Sequence, residues 1–268
     1  TFSVTGTITL NGTQLNIAQP VTISGPGQAN LTVSGNNASR VFNISANTTM
    51  SGLTITNGDT GGAAEQNGGG ILNSATLNLT DCTVSNSRAY SGGGIQHRSG
   101  TLTTNCSVSN NNATYRGGGI YNDTGTITVS GSVTGNTAPG MGGGLYGTHG
   151  STITVTTTSL INGNTGSQGG GIATFGTLYV NGSTVSNNTA TQLGGGIILE
   201  DGSLTSTGAT YFGNSAGNNG GMIFLAANGT ATFTGTIITP STNTPNDCAG
   251  NGTYINGGGN NPGVGCPW

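Results

Sequence analysis

Seven carboxylates, two histidines and four arginines are the charged or chargeable groups that acid–base or metal chemistry would draw on; lysine is absent. Cleavage of a polysaccharide needs two carboxyl groups held across the scissile bond, with their protonation tuned by neighbours. The carboxylates here, Asp59, Glu65, Asp81, Asp123, Glu200, Asp201 and Asp247, fall in separate stretches at unlike positions. Only Glu200 and Asp201 are adjacent, just before Gly202, where a solvated bend is expected. His149-Gly150 is a fragment of a hydrolase motif whose paired aspartates are missing. The expectation is a chain with no catalytic residues, no metal and no cofactor. A polysaccharide-binding or polysaccharide-degrading protein is the alternative that these residues leave open.

Hydroxyl groups are arranged more regularly. Thr101/Thr103, Thr126/Thr128, Thr152/Thr154 and Thr230/Thr232 form Thr-x-Thr pairs, with Thr76/Asn78, Thr177/Tyr179 and Ser203/Thr205 between them. On paired strands such rows repeat about 6.7 Å along the strand and about 4.8 Å across it. A flat lattice of that kind is what an ice-binding surface presents, and these eight threonines are a candidate interaction surface. Threonine is also an ordinary exposed strand residue. Tyr90 aligns with Tyr115, and Tyr121 with Tyr146, one period apart, as stacked rings or as a carbohydrate-contacting strip. Arg98 and Asp123 fall at matching places and could form a surface ion pair, worth about 0–1 kcal/mol. Four scattered arginines and a net charge of −3 do not supply the basic cluster that nucleic acid requires.

The elements that would hold these residues are legible in a repeat. Gly-Gly-Gly plus a large aliphatic residue starts at Gly68, Gly92, Gly117, Gly142, Gly169 and Gly194, and a variant with Met222 in the third place starts at Gly220. The spacings are 24, 25, 25, 27, 25 and 26 residues. Each run leads through a polar bend into a Thr-Leu-Thr-Val-like strand, then a second strand centred on Val84, Val108, Val133, Ile161, Val185 or Tyr211. Period-2 alternation means strand, and no stretch has helical periodicity. Two residues after each centre stands Asn86, Asn110, Gly135, Gly163, Asn187 or Gly213, the two residue types that tolerate positive φ best. The next residue, Ser87, Asn111, Asn136, Asn164, Asn188 or Asn214, can form a hydrogen-bonded ladder between repeats. The triple glycines mark a crowded corner; with no helix behind them and no lysine, they are not a phosphate cradle.

This pattern predicts an all-β fold, a right-handed parallel β-helix of roughly ten coils with about 25 residues per coil. Ile71, Ile95, Ile120, Leu145, Ile172, Ile197 and Ile223 should stack as one buried column. Residues 1–67 read as less regular coils, 68–240 as the regular repeat and 241–268 as a Cys-containing tail or cap, in one domain. Four cysteines suit an oxidising compartment. Cys248 and Cys266 bracket the tail and are expected to be bonded. Cys82 and Cys106 occupy the same place in successive coils, and whether they bond or point in parallel is open. No run of 18 or more apolar residues exists, so no insertion into a membrane is expected. The chain begins at Thr1, which reads as processing or as part of a longer protein. Thr1, Phe2 and Val4 at one end and Trp268 at the other are candidate end-to-end contacts, because open strand edges invite pairing.

With these residues in view the chain resembles the GG[AILV]…FxxN repeats of polymorphic outer-membrane proteins and the related β-helix repeats of large bacterial surface proteins. Ser24-Gly25-Pro26-Gly27, the Ser34–Phe42 stretch and Asp247-Cys248-Ala249-Gly250 are similar to the same domains. The resemblance implies a secreted or cell-surface location and a structural or adhesive role. Partners would then be other copies in an end-to-end homopolymer, other surface proteins, or glycans.

Overall fold

A computed structural model describes residues 4–62, 66–239, 246–261 and 266. Thr1, Phe2, Glu65 and Trp268 lie outside the described residues, so the end contacts assigned to Thr1, Phe2 and Trp268 have no structural counterpart here. The chain winds as a parallel β-solenoid. Three parallel sheets of ten strands run its length: the first from Gly6–Thr9 to Ile237–Ile238, the second from Leu15–Ile17 to Cys248–Gly250, the third from Val21–Ser24 to Thr253–Asn256. A fourth sheet of six strands, Arg88–Ser91 to Ser215–Ala216, lies between the first and the second in chain order. A regular coil therefore reads second sheet, third, first, fourth, as in Ile95–His97, Thr101–Thr104, Ser107–Ser109 and Asn112–Arg116. The first strand, Gly6–Thr9, and the two coils after it, residues 15–34 and 42–56, have no fourth-sheet strand among the described residues, and a single bridge from Asp59 to Arg88 precedes that sheet.

The aliphatic column forms as its spacing predicts. Ile71, Ile95, Ile120, Leu145, Ile172, Ile197 and Ile223 are direct register partners in the second sheet, and all are fully buried. Val84, Val108, Val133, Ile161, Val185 and Tyr211 do the same in the first sheet. Leu77, Leu102, Ile127, Ile153, Leu178 and Leu204 do so in the third. A single coil cannot bury these faces; each layer is covered by the coils above and below. Burial of each aliphatic side chain contributes about 1.5–3 kcal/mol.

The corner between the first and fourth sheets is built by two adjacent columns. Asn86, Asn110, Gly135, Gly163, Asn187 and Gly213 all have positive φ, between 51° and 64°. Beside them, the Asn111, Asn136, Asn164 and Asn188 Nδ2 groups donate to the Oδ1 of the next asparagine at 2.9–3.0 Å. Each Nδ2 also donates to a main-chain carbonyl of the preceding coil, from Val84, Val108, Val133 and Ile161, at 2.9 Å. Each Oδ1 also accepts the backbone N–H of the preceding ladder residue. The amides are buried and fully used, which makes a polar column compatible with the core.

The triple glycines form the opposite wall of that corner. The first of each run has φ between 61° and 70°. A Cβ on the third, such as Gly119, would lie 2.7 Å from the Gly144 carbonyl oxygen and 3.0 Å from the Asn136 amide nitrogen. Glycine is thus required once by backbone conformation and once by contact with the ladder.

Both cysteine pairs are bonded, Cys82 to Cys106 with Cα atoms 4.8 Å apart and Cys248 to Cys266 with Cα atoms 4.7 Å apart. Two disulfides point to an oxidising, extracellular environment. Among the described residues no helix is long and apolar enough to cross a membrane.

Candidate functional site

Three surfaces carry most of the residues that the sequence singles out. The outer side of the third sheet is the hydroxyl face. Thr101 pairs with Thr126, Thr126 with Thr152 and Thr152 with Thr177; Thr103, Thr128, Thr154 and Tyr179 run beside them. Ser203/Thr205 and Thr230/Thr232 continue the rows. Thr101, Thr103 and Thr126 are exposed, and Thr128, Thr152, Thr154, Thr230 and Thr232 are half-buried, all alternating with buried neighbours. Tyr179 is 39% exposed and stands above the rows, so the lattice is interrupted in its middle.

The second surface is a groove where the fourth sheet leans over the outer side of the second, with the glycine corner between them. The outward column of the second sheet is Leu72, Gln96, Tyr121, Tyr146, Ala173, Ile198 and Phe224. Toward the C-terminal coils the groove is filled: Met141, Tyr146, Ala173 and Ile198 form a small buried cluster, with Leu193 and Phe224 against it. Toward the N-terminal coils it opens into a cleft of about 470 Å³ whose walls include Tyr90, Tyr115, Gln96, Tyr121, Arg98 and Asp123.

The tyrosines meet as their spacing implies. Tyr90 stacks on Tyr115 with ring centroids 5.1 Å apart, and Tyr121 lies 4.9 Å from Tyr146. The strand Asn112–Arg116 carries one residue more than Arg88–Ser91 between paired positions, and this bulge accompanies the exposure of Tyr115. The Arg116 guanidinium sits 4.3 Å from the Tyr115 ring centre and 5.1 Å from that of Tyr146, and its Nη1 donates to the Tyr146 hydroxyl at 3.1 Å. Burial pushes the Tyr121 hydroxyl up to about 12, with the neighbouring Tyr146 and Asp123 adding to the shift. It is therefore a hydroxyl donor at neutral pH. Arg98 and Asp123 line the cleft without forming an ion pair. Arg88 instead pairs with Asp59 at 3.7 Å, and the His149 Nε2 lies 3.6 Å from the Asp201 carboxylate. The bridge that starts the fourth sheet brings Arg88 beside Asp59.

Glu200 and Asp201 lie in the bend that follows the second-sheet strand Ile197–Leu199. Neither is fully solvated: both are half-buried, and desolvation raises the Glu200 carboxyl above its usual range. Asp201 faces His149, whose ring lies 4.9 Å from Phe175. No group of three histidine, cysteine or acidic side chains converges among the described residues.

The third surface is the pair of ends. At the first coil Ile8, Leu15 and Val21 are 37–39% exposed and Val4 is 51% exposed. Ile8, Leu15, Ile17, Ile23, Leu31 and Phe42 surround an apolar cavity of about 250 Å³ at the mouth of the lumen. At the last coil Tyr254 stacks over Phe233 at 6.5 Å, packs on the core beside Cys266, and leaves Ile255 and Ile237 43% and 49% exposed. Gln96 and the lumen mouth went unrecognised in the sequence; only the wide spacing of apolar residues in the first coil hints at the latter. Comparison with protein-family models, with curated proteins and with solved structures finds no match to this chain.

Proposed function

We propose that this chain is a non-catalytic structural rod of the cell exterior whose copies associate end to end. The observation that carries this reading is the pair of terminal coils. The first exposes an apolar lumen, and among the described residues its strands Gly6–Thr9, Leu15–Ile17 and Val21–Ser24 each pair on one side only. The last coil exposes Ile237 and Ile255 and ends the same three sheets. A second copy set on either end would continue three ladders in the parallel sense and cover apolar surface, a heterologous contact that need not close. A net charge of −3 offers little repulsion against it. The scattered acidic residues and the two disulfides agree with a structural role outside the cell. Electron microscopy of the 268-residue chain should show filaments with an axial repeat near 50 Å, from ten coils at about 4.8 Å each. Ile8→Asp and Leu15→Asp, which place charge in the lumen mouth, should give single rods. Dispersed single rods of the unaltered protein at high concentration would overturn the proposal.

The hydroxyl face favours a second reading, ice binding, on the specific ground that three successive Thr-x-Thr rows lie in register. Thermal hysteresis and ice-recrystallisation assays decide it: activity lost in Thr128→Leu and enhanced in Tyr179→Thr supports it, and no activity in the unaltered protein removes it.

A further inference from the structure

The reinforcing features of the rod all begin in one coil, residues 71–91. The first triple glycine, Gly68 to Gly70, leads into it, and it holds the first strand of the fourth sheet, Arg88–Ser91. It also holds the first ladder residue, Ser87, whose backbone N–H donates to the Asn111 Oδ1 at 3.0 Å. One coil earlier that column is occupied by Gly58, which has no side chain to continue the ladder. Cys82 of the same coil is bonded to Cys106 of the next. Residues 6–56 lie ahead of all four features, and three ladders pair them with the coil 71–91. Their inner packing is looser too. Ile8, Ile23, Leu31, Val33, Phe42 and Leu53 border an apolar cavity of about 250 Å³, whereas the inward column from Ile95 to Ile223 is fully buried.

Two side chains tie this section to the coil that follows it. The Arg40 guanidinium lies between the first and second sheets, in the part of the coil where the fourth sheet runs further on. Its Nε donates to the Asn67 and Gly68 carbonyls at 3.1 and 2.9 Å, its Nη2 to the Asn67 carbonyl at 2.7 Å, and its Nη1 to the Gln14 Oε1 at 2.5 Å. One side chain thus spans three successive coils, through hydrogen bonds strengthened by its charge. On the outer side of the first sheet, the Thr83 hydroxyl donates to the Gln28 Oε1 at 2.7 Å. Within the section the coils interlock. The Gly27 N–H donates to the Gly52 carbonyl at 2.9 Å, and a Cβ on Gly25 would clash with the same oxygen. Coils joined in this way part from the rod together. The disulfide sets the far limit: Cys82 follows the third-sheet strand Leu77–Thr80, Cys106 follows Thr101–Thr104, and their Cα atoms are 4.8 Å apart. While that bond is intact the coil 71–91 cannot leave its neighbour.

We infer that residues 6–56 are a separately opening section of the rod, latched by Arg40, and that Cys82–Cys106 marks where the opening stops. Partial opening in contiguous cooperative units is how unevenly reinforced structures fluctuate. The section carries the lumen mouth. On the end-to-end reading, and only there does this inference rest on it, the joint between copies could form and release without unfolding the reinforced coils.

The test is native-state hydrogen exchange, read by mass spectrometry on the oxidised, dispersed 268-residue chain at rising urea. Peptides within 15–56 should share one urea dependence and exchange at least about a hundredfold faster than peptides within 120–186. Arg40→Gln should speed exchange in 15–56 about tenfold or more and leave 120–186 within about twofold. Arg98→Gln removes the same charge at an exposed position of the next coil and should leave 15–56 within about threefold. Cys82→Ser with Cys106→Ser should bring peptides within 71–91 to the rate of 15–56. Circular-dichroism melts confirm that each variant is folded, and the profile of the unaltered chain decides whether the section exists even where a variant is not. Equal protection of 15–56 and 120–186, separate urea dependences for the coils 15–34 and 42–56, no effect of Arg40→Gln, or unchanged protection of 71–91 without the disulfide would each overturn the inference. Dispersed protein is measured throughout, so none of these outcomes bears on the electron microscopy of assembly.

Discussion

Replacing Asn164 by alanine tests the ladder at its centre. The Asn164 Oδ1 accepts the Asn136 backbone N–H and the Asn136 Nδ2, both at 3.0 Å, and the Asn164 Nδ2 donates to the Val133 carbonyl and the Asn188 Oδ1, both at 2.9 Å. Alanine removes all four bonds. The Asn188 Oδ1 keeps the Asn164 backbone N–H, so it is not orphaned. The Asn136 backbone N–H and one Asn136 amide proton are left buried without acceptors. At roughly 2 kcal/mol for each stranded donor the loss is about 4 kcal/mol. Asn164→Asp should be worse at neutral pH, because a carboxylate oxygen would face the Val133 carbonyl and the Asn188 Oδ1. Its folded-state pKa would be raised, so the penalty is full above that raised value and is relieved progressively as pH falls from it to the unfolded value. Native-state hydrogen exchange at the amides of the coil that holds Asn164 and of the coils on either side reads the loss locally, which suits a solenoid whose coils need not unfold together. Asn112→Ala, at an exposed position on the Asn112–Arg116 strand, is the control, expected to cost under about 1 kcal/mol. An Asn164→Ala protein within 1 kcal/mol of the unaltered chain would refute the view that the ladder holds this corner.

Other substitutions separate the roles of individual residues. Gly119→Ala should cost more than about 3 kcal/mol, because its Cβ meets the Gly144 carbonyl and the Asn136 amide, whereas Gly150→Ala, with φ +76° and nothing within 4 Å, should cost only the backbone strain of about 1–2 kcal/mol; urea titrations compare the two. Thiol counting under denaturing conditions should find no free cysteine before reduction and four after it, and Cys82→Ala with Cys106→Ala should lower stability by about 3 kcal/mol, since the bond closes a loop of 24 residues. Burial lowers the pKa of His97, whose Nδ1 lies 2.8 Å from the Asn73 amide nitrogen. The unfolded chain therefore takes up that proton first, so stability is complete above about pH 6.5 and falls as pH drops toward the lowered folded value. His97→Asn, which matches Asn73 and Asn122 in the same column, should flatten the melting temperature between pH 7 and 5.

Much of this molecule is legible in one dimension because its period is nearly constant. When spacing equals one coil, a column in the sequence is a column in space. That is why the Ile71-to-Ile223 stack, the positive-φ corner at Asn86 and its equivalents, the Asn111-to-Asn214 ladder and the Tyr90–Tyr115 and Tyr121–Tyr146 pairs could all be drawn before any coordinate. The Thr-x-Thr rows follow from the same rule combined with strand alternation. Cys82 and Cys106 mark where the rule runs out: spacing set their Cα separation, but the turn between the third and first sheets decided that the two sulfurs meet. The fourth sheet is a larger case. No strand pattern announces Arg88–Ser91 or Asn112–Arg116, whose Arg-Ala-Tyr-Ser and Asn-Ala-Thr-Tyr-Arg sequences lack alternation of apolar residues, yet that sheet pairs Arg88 with Asp59 and overhangs the second sheet. Whether an outward side chain such as Gln96 is solvated or buried depends on the angle between two sheets and on side chains from a different part of the coil. Periodicity reports which side of a strand a residue takes; it carries no information about what covers that side, so the cleft and the open lumen mouth belong to the tertiary structure alone.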